Sequence, residues 1–326
     1  MEDQGIGQSP IMRGPVQIPP GSTLVSDADE EVFLLYTALA ARKSEDGTTS
    51  FRGLGHVDSH EDTLSFTFTL GTPITSGGDK VETVKNATSK ASKKKRNTRL
   101  FEVQHVLEVE IMQDKTALRS RKGDTGSVVW RASVDFAQTV LQQHYSRSPN
   151  ALLNPSMLSN SHVLELGAGT GLLSIVLSPL VQHYTVTDID ALVPLIQKNL
   201  TRNLPKFPAL SPSRRAHPLD WMTLHNASAS FRRTLVPFAA VDLLLVVDCI
   251  YHPSLLPALL STINYLTVPE KTSVVVVVEL RAEDVIRDFL QGWLDLSDDG
   301  IWEIWSVSGF LEGPYAVWVG WKKSRV

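Results

Sequence analysis

Cysteine is almost absent from this chain of 326 residues: Cys249 is the only one. A single thiol can build neither an intramolecular disulfide framework nor a cysteine metal cluster. Long apolar runs are missing as well. The longest are Val241–Val247, interrupted by Asp242, and Val274–Val278. Both fall far short of the roughly 20 residues that span a bilayer. Charge of one sign is not in large excess. Lys and Arg number 31 and Asp and Glu 35, a net charge of −4, so there is no global push toward nucleic acid or an anionic membrane. The first residues run through Glu2 and Asp3 into Gly, Pro and Ser, without the basic and apolar segments of a secretory signal. The nine histidines are scattered, and no metal-ligand spacing is visible. What remains is 42% hydrophobic and 20% charged, the balance of a globular chain. The expectation is a soluble, cytoplasmic protein, with the nucleus also open to it, that needs no metal and acts as a monomer.

Residues 1–30 are rich in Gly, Pro, Ser and acidic side chains and predict a disordered tail. Val32–Ala41 predicts a short helix behind an acidic stretch. Leu64–Leu70 and Phe101–Ile111 alternate apolar and polar residues, which predicts two strands of a small antiparallel sheet. Between them, residues 71–99 hold Gly, Ser, Thr, Asn and the run Lys93-Lys94-Lys95-Arg96, and are read as a flexible basic loop. The β extension thus covers 31–124.

From Thr125 the grammar changes to alternating strands and helices, which predicts a mostly parallel sheet with helices on both faces. The predicted strands are Val163–Gly167, Tyr184–Asp188, Arg215–Leu219, Val241–Val247 and Val274–Glu279. The predicted helices are Val134–Tyr145, Leu172–Leu180, Leu192–Asn203, Leu255–Leu266 and Glu283–Trp293. Trp302–Val307 and Tyr315–Trp321 close the series as two strands with little helix between them, unlike a dinucleotide dehydrogenase.

Five motifs carry the candidate chemistry. Gly167-Ala168-Gly169-Thr170-Gly171 follows a strand and opens a helix. Its spacing is GxGxG, not the GxGxxG that meets a pyrophosphate, so a cofactor without phosphate, S-adenosylmethionine, suits it better. A plain strand-to-helix turn is the alternative. Glu165 lies inside the preceding strand, where a carboxylate needs a partner; the ammonium group of a cofactor would serve. Asp188, with Asp190 as second choice, ends the next strand, where ribose hydroxyls are bound; helix capping is the alternative. Asp220-Trp221 could place an indole along an adenine face, and Trp130 could wall a cofactor from the N-terminal side; for both, core packing competes. Val247-Asp248-Cys249-Ile250-Tyr251 follows the fourth strand, placing Asp248 and Tyr251 over the same crevice as the glycines. Asp248 could orient an incoming amine, or merely cap a helix.

In this order the motifs resemble the seven-β-strand protein-lysine methyltransferases, whose hallmark is Asp-x-x-Tyr after the fourth strand. The resemblance covers roughly residues 100–322. It implies a Rossmann-like sheet of seven strands, an S-adenosylmethionine-dependent domain over 125–326, and transfer of a methyl group to a protein lysine. It also implies that Trp130, Gly167, Ala168, Gly169, Asp188, Trp221 and Val247 contact the cofactor, while Asp248 and Tyr251 shape the lysine entrance as catalytic candidates. The N-terminal sheet, basic insert and length look most like members that act on ribosomal proteins, which makes a large-subunit ribosomal protein the expected partner. Arg131-Ala132-Ser133 departs from the pattern, since relatives often carry an acidic residue after the Trp. Three rivals remain: a methyltransferase for another acceptor, a nucleic-acid-binding module using the run at 93–96, and a catalytically dead scaffold, against which the presence of every cofactor motif argues.

Overall fold

A computed structural model describes residues 11–41, 55–73, 101–114, 125–206, 216–297 and 300–324. Twelve strands among them are numbered here in chain order. β1 (Met12–Arg13) and β2 (Val16–Gln17) pair as a short ribbon, and β3 (Thr23–Val25) follows. β4 (Thr63–Pro73) and β5 (Phe101–Met112) form a separate antiparallel pair, as their alternation predicts. Then come β6 (His162–Leu166), β7 (His183–Asp188), β8 (Ala216–Pro218), β9 (Leu243–Val247), β10 (Ser273–Glu279), β11 (Ile301–Ser306) and β12 (Tyr315–Lys323).

The main sheet runs β3-β11-β12-β10-β9-β6-β7-β8. From β10 through β8 it is parallel, and β12 and β11 enter antiparallel. The seven-stranded, mostly parallel architecture therefore holds, including its antiparallel terminal pair. It gains an eighth strand. β3 lies antiparallel to β11, with Val25 opposite Ile304 and Thr23 opposite Ser306. The expectation of a disordered tail over 1–30 is corrected for residues 11–30; residues 1–10 lie outside the described residues. Val16, Ile18 and Val25 are buried anchors, and the side-chain amide of Gln17 donates to the Pro149 carbonyl at 2.7 Å. Glycine and proline here shape turns between strands of two or three residues, too short for any periodicity to register.

β9 and β10 are buried at every position because the sheet is covered on both faces. Their side chains alternate between two cores. Leu243, Leu245, Val275 and Val277 meet the helices Arg131–Tyr145, Leu172–Leu177 and Val193–Asn203. Leu244, Val246, Val274 and Val276 meet Leu256–Leu266 and Glu283–Leu294. Each such side chain contributes about 1.5–3 kcal/mol. The helix predicted at Val32 starts earlier, at Ala28, and packs in the second core.

Among the described residues three α-helices went unpredicted: Pro155–Leu158, Trp221–Asn226 and Ala229–Leu235. Each is too short for a 3.6-residue pattern. Each carries a cap that could have revealed it. The Asp220 carboxylate accepts from the Met222 and Thr223 amides at 2.9 and 3.5 Å, and Ser228 Oγ accepts from the Phe231 amide at 3.3 Å.

The β4–β5 pair packs Phe68, Leu70, Val109 and Ile111 into the first core. The free edge of β5 is covered by two asparagines one turn apart on the Val193–Asn203 helix. Asn199 Oδ1 accepts from the Met112 amide at 2.8 Å, and Asn203 Oδ1 from the Glu110 amide at 3.0 Å. Their Nδ2 groups donate back to the Met112 and Glu110 carbonyls at 3.0 and 2.9 Å. Paired in this way, the edge offers no template to another strand. The basic run at 93–96 lies outside the described residues, as does Arg215, the predicted start of β8.

β6 and β9 are neighbours, yet the chain leaves β6 toward β7 and leaves β9 toward β10. This reversal opens a crevice at the carboxyl ends of the strands.

Candidate active site

The crevice holds a cavity of about 310 Å³, within the usual range for a small-molecule site. Trp130, Gly167, Ala168, Gly169, Asp188, Trp221, Val247, Asp248 and Tyr251 all line it. These are nine of the ten residues singled out from the sequence.

The glycines are explained first by close approach between loops. A Cβ on Gly169, where φ is +58°, would lie 2.8 Å from the Gly126 carbonyl oxygen. A Cβ on Gly167, where φ is +63°, would lie 2.7 Å from Cys249 Sγ and 3.1 Å from the Trp221 ring. Only glycine combines that backbone with that spacing. Three of the loop's five amides are committed internally. Ala168 N–H donates to the Thr187 carbonyl at 3.0 Å, Gly169 N–H to Asp188 Oδ2 at 2.7 Å, and Gly171 N–H to the Ala168 carbonyl at 2.8 Å. A loop with these donors taken is a poor phosphate cradle. It suits a cofactor that carries no phosphate.

Asp188 ends β7, and its Oδ1 also accepts from the Ile189 amide at 2.7 Å. Backbone amides on both oxygens thus fix the carboxylate at the cavity wall. Asp190 is exposed and does not line the cavity. Trp221 begins the helix capped by Asp220, so the cap sets the position of the indole. On the opposite wall, Trp130 Nε1 donates to the Thr125 carbonyl at 2.9 Å. The His56 ring meets the Trp130 ring edge-on, with centroids 5.8 Å apart.

Glu165 is placed differently from the sequence expectation. It does not line the cavity. Its Oε2 accepts from the Tyr184 hydroxyl at 2.8 Å, and burial pushes its carboxyl up to about 8. The partner that a buried carboxylate needs is therefore a neighbouring strand's tyrosine, not a ligand.

Asp248 follows β9 with φ of +60°, a left-handed conformation that costs most residues about 1–2 kcal/mol. Its amide donates to the Val277 carbonyl at 2.7 Å. Its carboxylate is gripped by Arg281, at 3.0 and 2.6 Å. Burial pushes the Asp248 carboxyl up, and Arg281 pulls it back down. Tyr251 stands at the cavity mouth, 36% exposed. Cys249 is buried beside the glycine loop, its thiol donating to the Leu166 carbonyl at 3.3 Å, and burial pushes that thiol up. A protonated thiol in that place is inert packing.

Glu279 ends the fifth predicted strand and Arg281 follows it, but the sequence reading gave neither a role, although an ionisable pair Glu-x-Arg leaving a buried strand was an available signal. Gly126, four residues before Trp130, faces Gly169.

The geometry can be set beside known proteins. Over 185 residues the chain is 30% identical to a Schizosaccharomyces pombe protein named diaminohydroxyphosphoribosylamino-pyrimidine deaminase, covering 56% of this chain and 41% of that one. It is 36% identical over 110 residues to protein N-lysine methyltransferase METTL21A of Xenopus tropicalis, covering 34% and 46%. It is 27% identical over 203 residues to ribosomal lysine N-methyltransferase 5 of Zygosaccharomyces rouxii, covering 51% and 63%. The chain thus spans about half the length of the curated relatives it matches. A family profile described as lysine methyltransferase matches residues 112–292. That stretch is more than half of the chain and contains every cavity-lining residue named above, and the chain belongs to the lysine methyltransferase family.

Proposed function

We propose that this protein transfers a methyl group from S-adenosylmethionine to the side-chain nitrogen of a protein lysine. One arrangement supports the reading above all: the glycine loop, Asp188 and Trp221 share a single cavity with Asp248 and Tyr251. The transfer domain is 125–326, flanked by the β extension at 31–124. When bound, S-adenosylmethionine supplies a methyl group activated on a sulfonium, which passes to the lysine nitrogen and leaves a neutral thioether.

The backbone of Gly167 to Gly169, with Trp130, Asp188, Trp221 and Val247, holds the cofactor. Asp188, at the end of β7, would face the ribose hydroxyls, and Trp221 would present an aromatic face. The acceptor amine must arrive neutral, although its ordinary pKa is about 10.4. Drying at the mouth lowers that value, while a carboxylate raises it. Asp248 is therefore no strong base. It orients the amine and offsets the positive charge that grows on nitrogen as the bond forms. Tyr251 narrows the entrance. Much of the acceleration comes from alignment; the nitrogen is cationic once methylated, and its extra proton passes to bulk solvent after the product leaves.

The finer reading of the acceptor is a large-subunit ribosomal protein. It is supported by the name of the Zygosaccharomyces rouxii relative, and would place the reaction in the cytoplasm or nucleus. No second copy is needed to complete the cavity, in keeping with a monomer. The deaminase named in Schizosaccharomyces pombe suggests a second activity. Zinc-dependent nucleobase deaminases hold their metal with two or three cysteines. With Cys249 alone, this chain cannot supply that set.

The test is to incubate the protein with cell extract and methyl-labelled S-adenosylmethionine, then hydrolyse the labelled proteins. Label recovered as methyl-lysine supports the reading. Label in nucleic acid or a small molecule, or no label, overturns it.

A further inference from the structure

Arg281 ties together three parts of the site that the sequence keeps far apart. Its Nη1 donates to Asp248 Oδ1 at 3.0 Å and its Nη2 to Asp248 Oδ2 at 2.6 Å. The same Nη2 donates to Glu279 Oε2 at 2.7 Å. Its guanidinium carbon lies 4.6 Å from the centre of the Trp130 ring, within cation–π range. Glu279 in turn accepts from the Gly55 amide at 3.1 and 3.3 Å, and its own amide donates to Asp248 Oδ1 at 3.3 Å. One side chain thus connects the ends of β9 and β10, the aromatic wall and, through Glu279, the segment that leads into the β extension.

The charges demand this arrangement. The side chains of Asp248 and Glu279 are 2% and 0% exposed. Two carboxylates so near each other and so dry do not both ionise without a cation between them. A guanidinium supplies that charge in a planar fork that bonds both Asp248 oxygens and still reaches Glu279. A lysine in its place would be a point charge on a flexible stem. The left-handed backbone of Asp248 aims its carboxylate without fixing it. The fork fixes it.

We propose that Arg281 is the positioning residue of the acceptor end: it locks the Asp248 carboxylate and the Trp130 ring in the one arrangement that receives the acceptor amine. The role rests on the methyl-transfer reading. Arg281 touches neither cofactor nor acceptor in this account and acts through Asp248.

The experiment uses the full chain with Arg281→Ala and Arg281→Lys. S-adenosylmethionine affinity is read by calorimetry, and transfer by the labelling rate of whichever extract protein the wild type methylates, at saturating cofactor. Both variants should lose about 10²-fold in rate at saturating cofactor, the scale of a misplaced reacting group, with a much smaller loss of cofactor affinity through the Trp130 wall. Millimolar guanidinium chloride should restore much of the rate of Arg281→Ala and none of Arg281→Lys. Calorimetry should also show guanidinium binding to Arg281→Ala and not to wild type, a readout independent of activity. An unchanged or faster Arg281→Ala, which would mark Arg281 as a tethered competitor of the substrate, overturns the proposal. So does a loss that guanidinium fails to restore. If the methyl-transfer reading itself fails, the sign is different: wild type labels no protein in the same extract.

Discussion

Gly126 and Gly169 meet backbone to backbone across the cavity floor. A Cβ on Gly126 would sit 3.3 Å from Gly169 Cα, and one on Gly169 would sit 2.8 Å from the Gly126 oxygen. The loop that ends in Trp130 therefore rests directly on the glycine turn. Gly169→Ala should weaken S-adenosylmethionine binding at least about tenfold in calorimetry and lower stability by about 1–2 kcal/mol from the backbone alone. Gly21→Ala is the control. Its φ is +86° and nothing lies within 4 Å of the new Cβ, so it carries the backbone cost without the clash. Equal effects of the two on cofactor affinity would show that the loop contact does not matter.

Asp248→Asn separates charge from shape. Asparagine tolerates the left-handed backbone at this position, so the turn should survive. Cofactor affinity is expected to stay within a few fold of wild type, while methyl transfer falls about 10²-fold. A variant that labels substrate at the normal rate would remove Asp248 from the acceptor end.

Glu165 makes stability depend on pH. Its folded carboxyl is raised to about 8 by burial, against the pull of the Tyr184 hydroxyl; in the unfolded chain it returns to about 4.3. Between those values the folded state keeps a proton that the unfolded state has lost. The stability from the neutral form is full below about 4.3 and declines as pH rises through about 8. Urea unfolding of wild type should thus weaken from pH 6 to 9. Glu165→Gln, which still accepts from Tyr184 and cannot ionise, should show a flatter profile. Parallel profiles would mean that Glu165 does not titrate in this window.

Asn199 joins the β extension to the glycine turn. Besides its two bonds to Met112, its Nδ2 donates to the Thr170 carbonyl at 2.9 Å. Asn199→Leu would strand three backbone groups, and a loss of about 2–4 kcal/mol is expected in urea unfolding. Hydrogen exchange should quicken along β5. A loss of less than about 0.5 kcal/mol would mean that water replaces the amide.

The parts of the molecule governed by local pattern were legible. Val274–Val278 reads as a strand buried on both faces and is one. The glycine turn, Asp188 and Asp248 gather at one cavity because the carboxyl ends of β6, β7 and β9 must meet at the switch point. Other parts depend on which strands become neighbours, and a linear reading cannot supply that. Glu165 finds Tyr184 only because β6 pairs with β7. Asp248 finds Arg281 only because β9 pairs with β10. The GxGxG spacing points to a cofactor turn, and the structure adds that the same glycines make way for Gly126, Cys249 and Trp221. β3 was hidden by its brevity and by the Gly and Pro residues around it.

The pairing of β3 with β11 sets an order of assembly. Leu24 and Val25 leave the ribosome long before Ile304 and Trp305, their partners across the ladder. Throughout synthesis of the intervening strands, that early segment has nothing to join. Contacts this distant along the chain form slowly. The clasp at this edge can close only after β11 is made, and until it closes β11 shows an open edge on which another strand could settle.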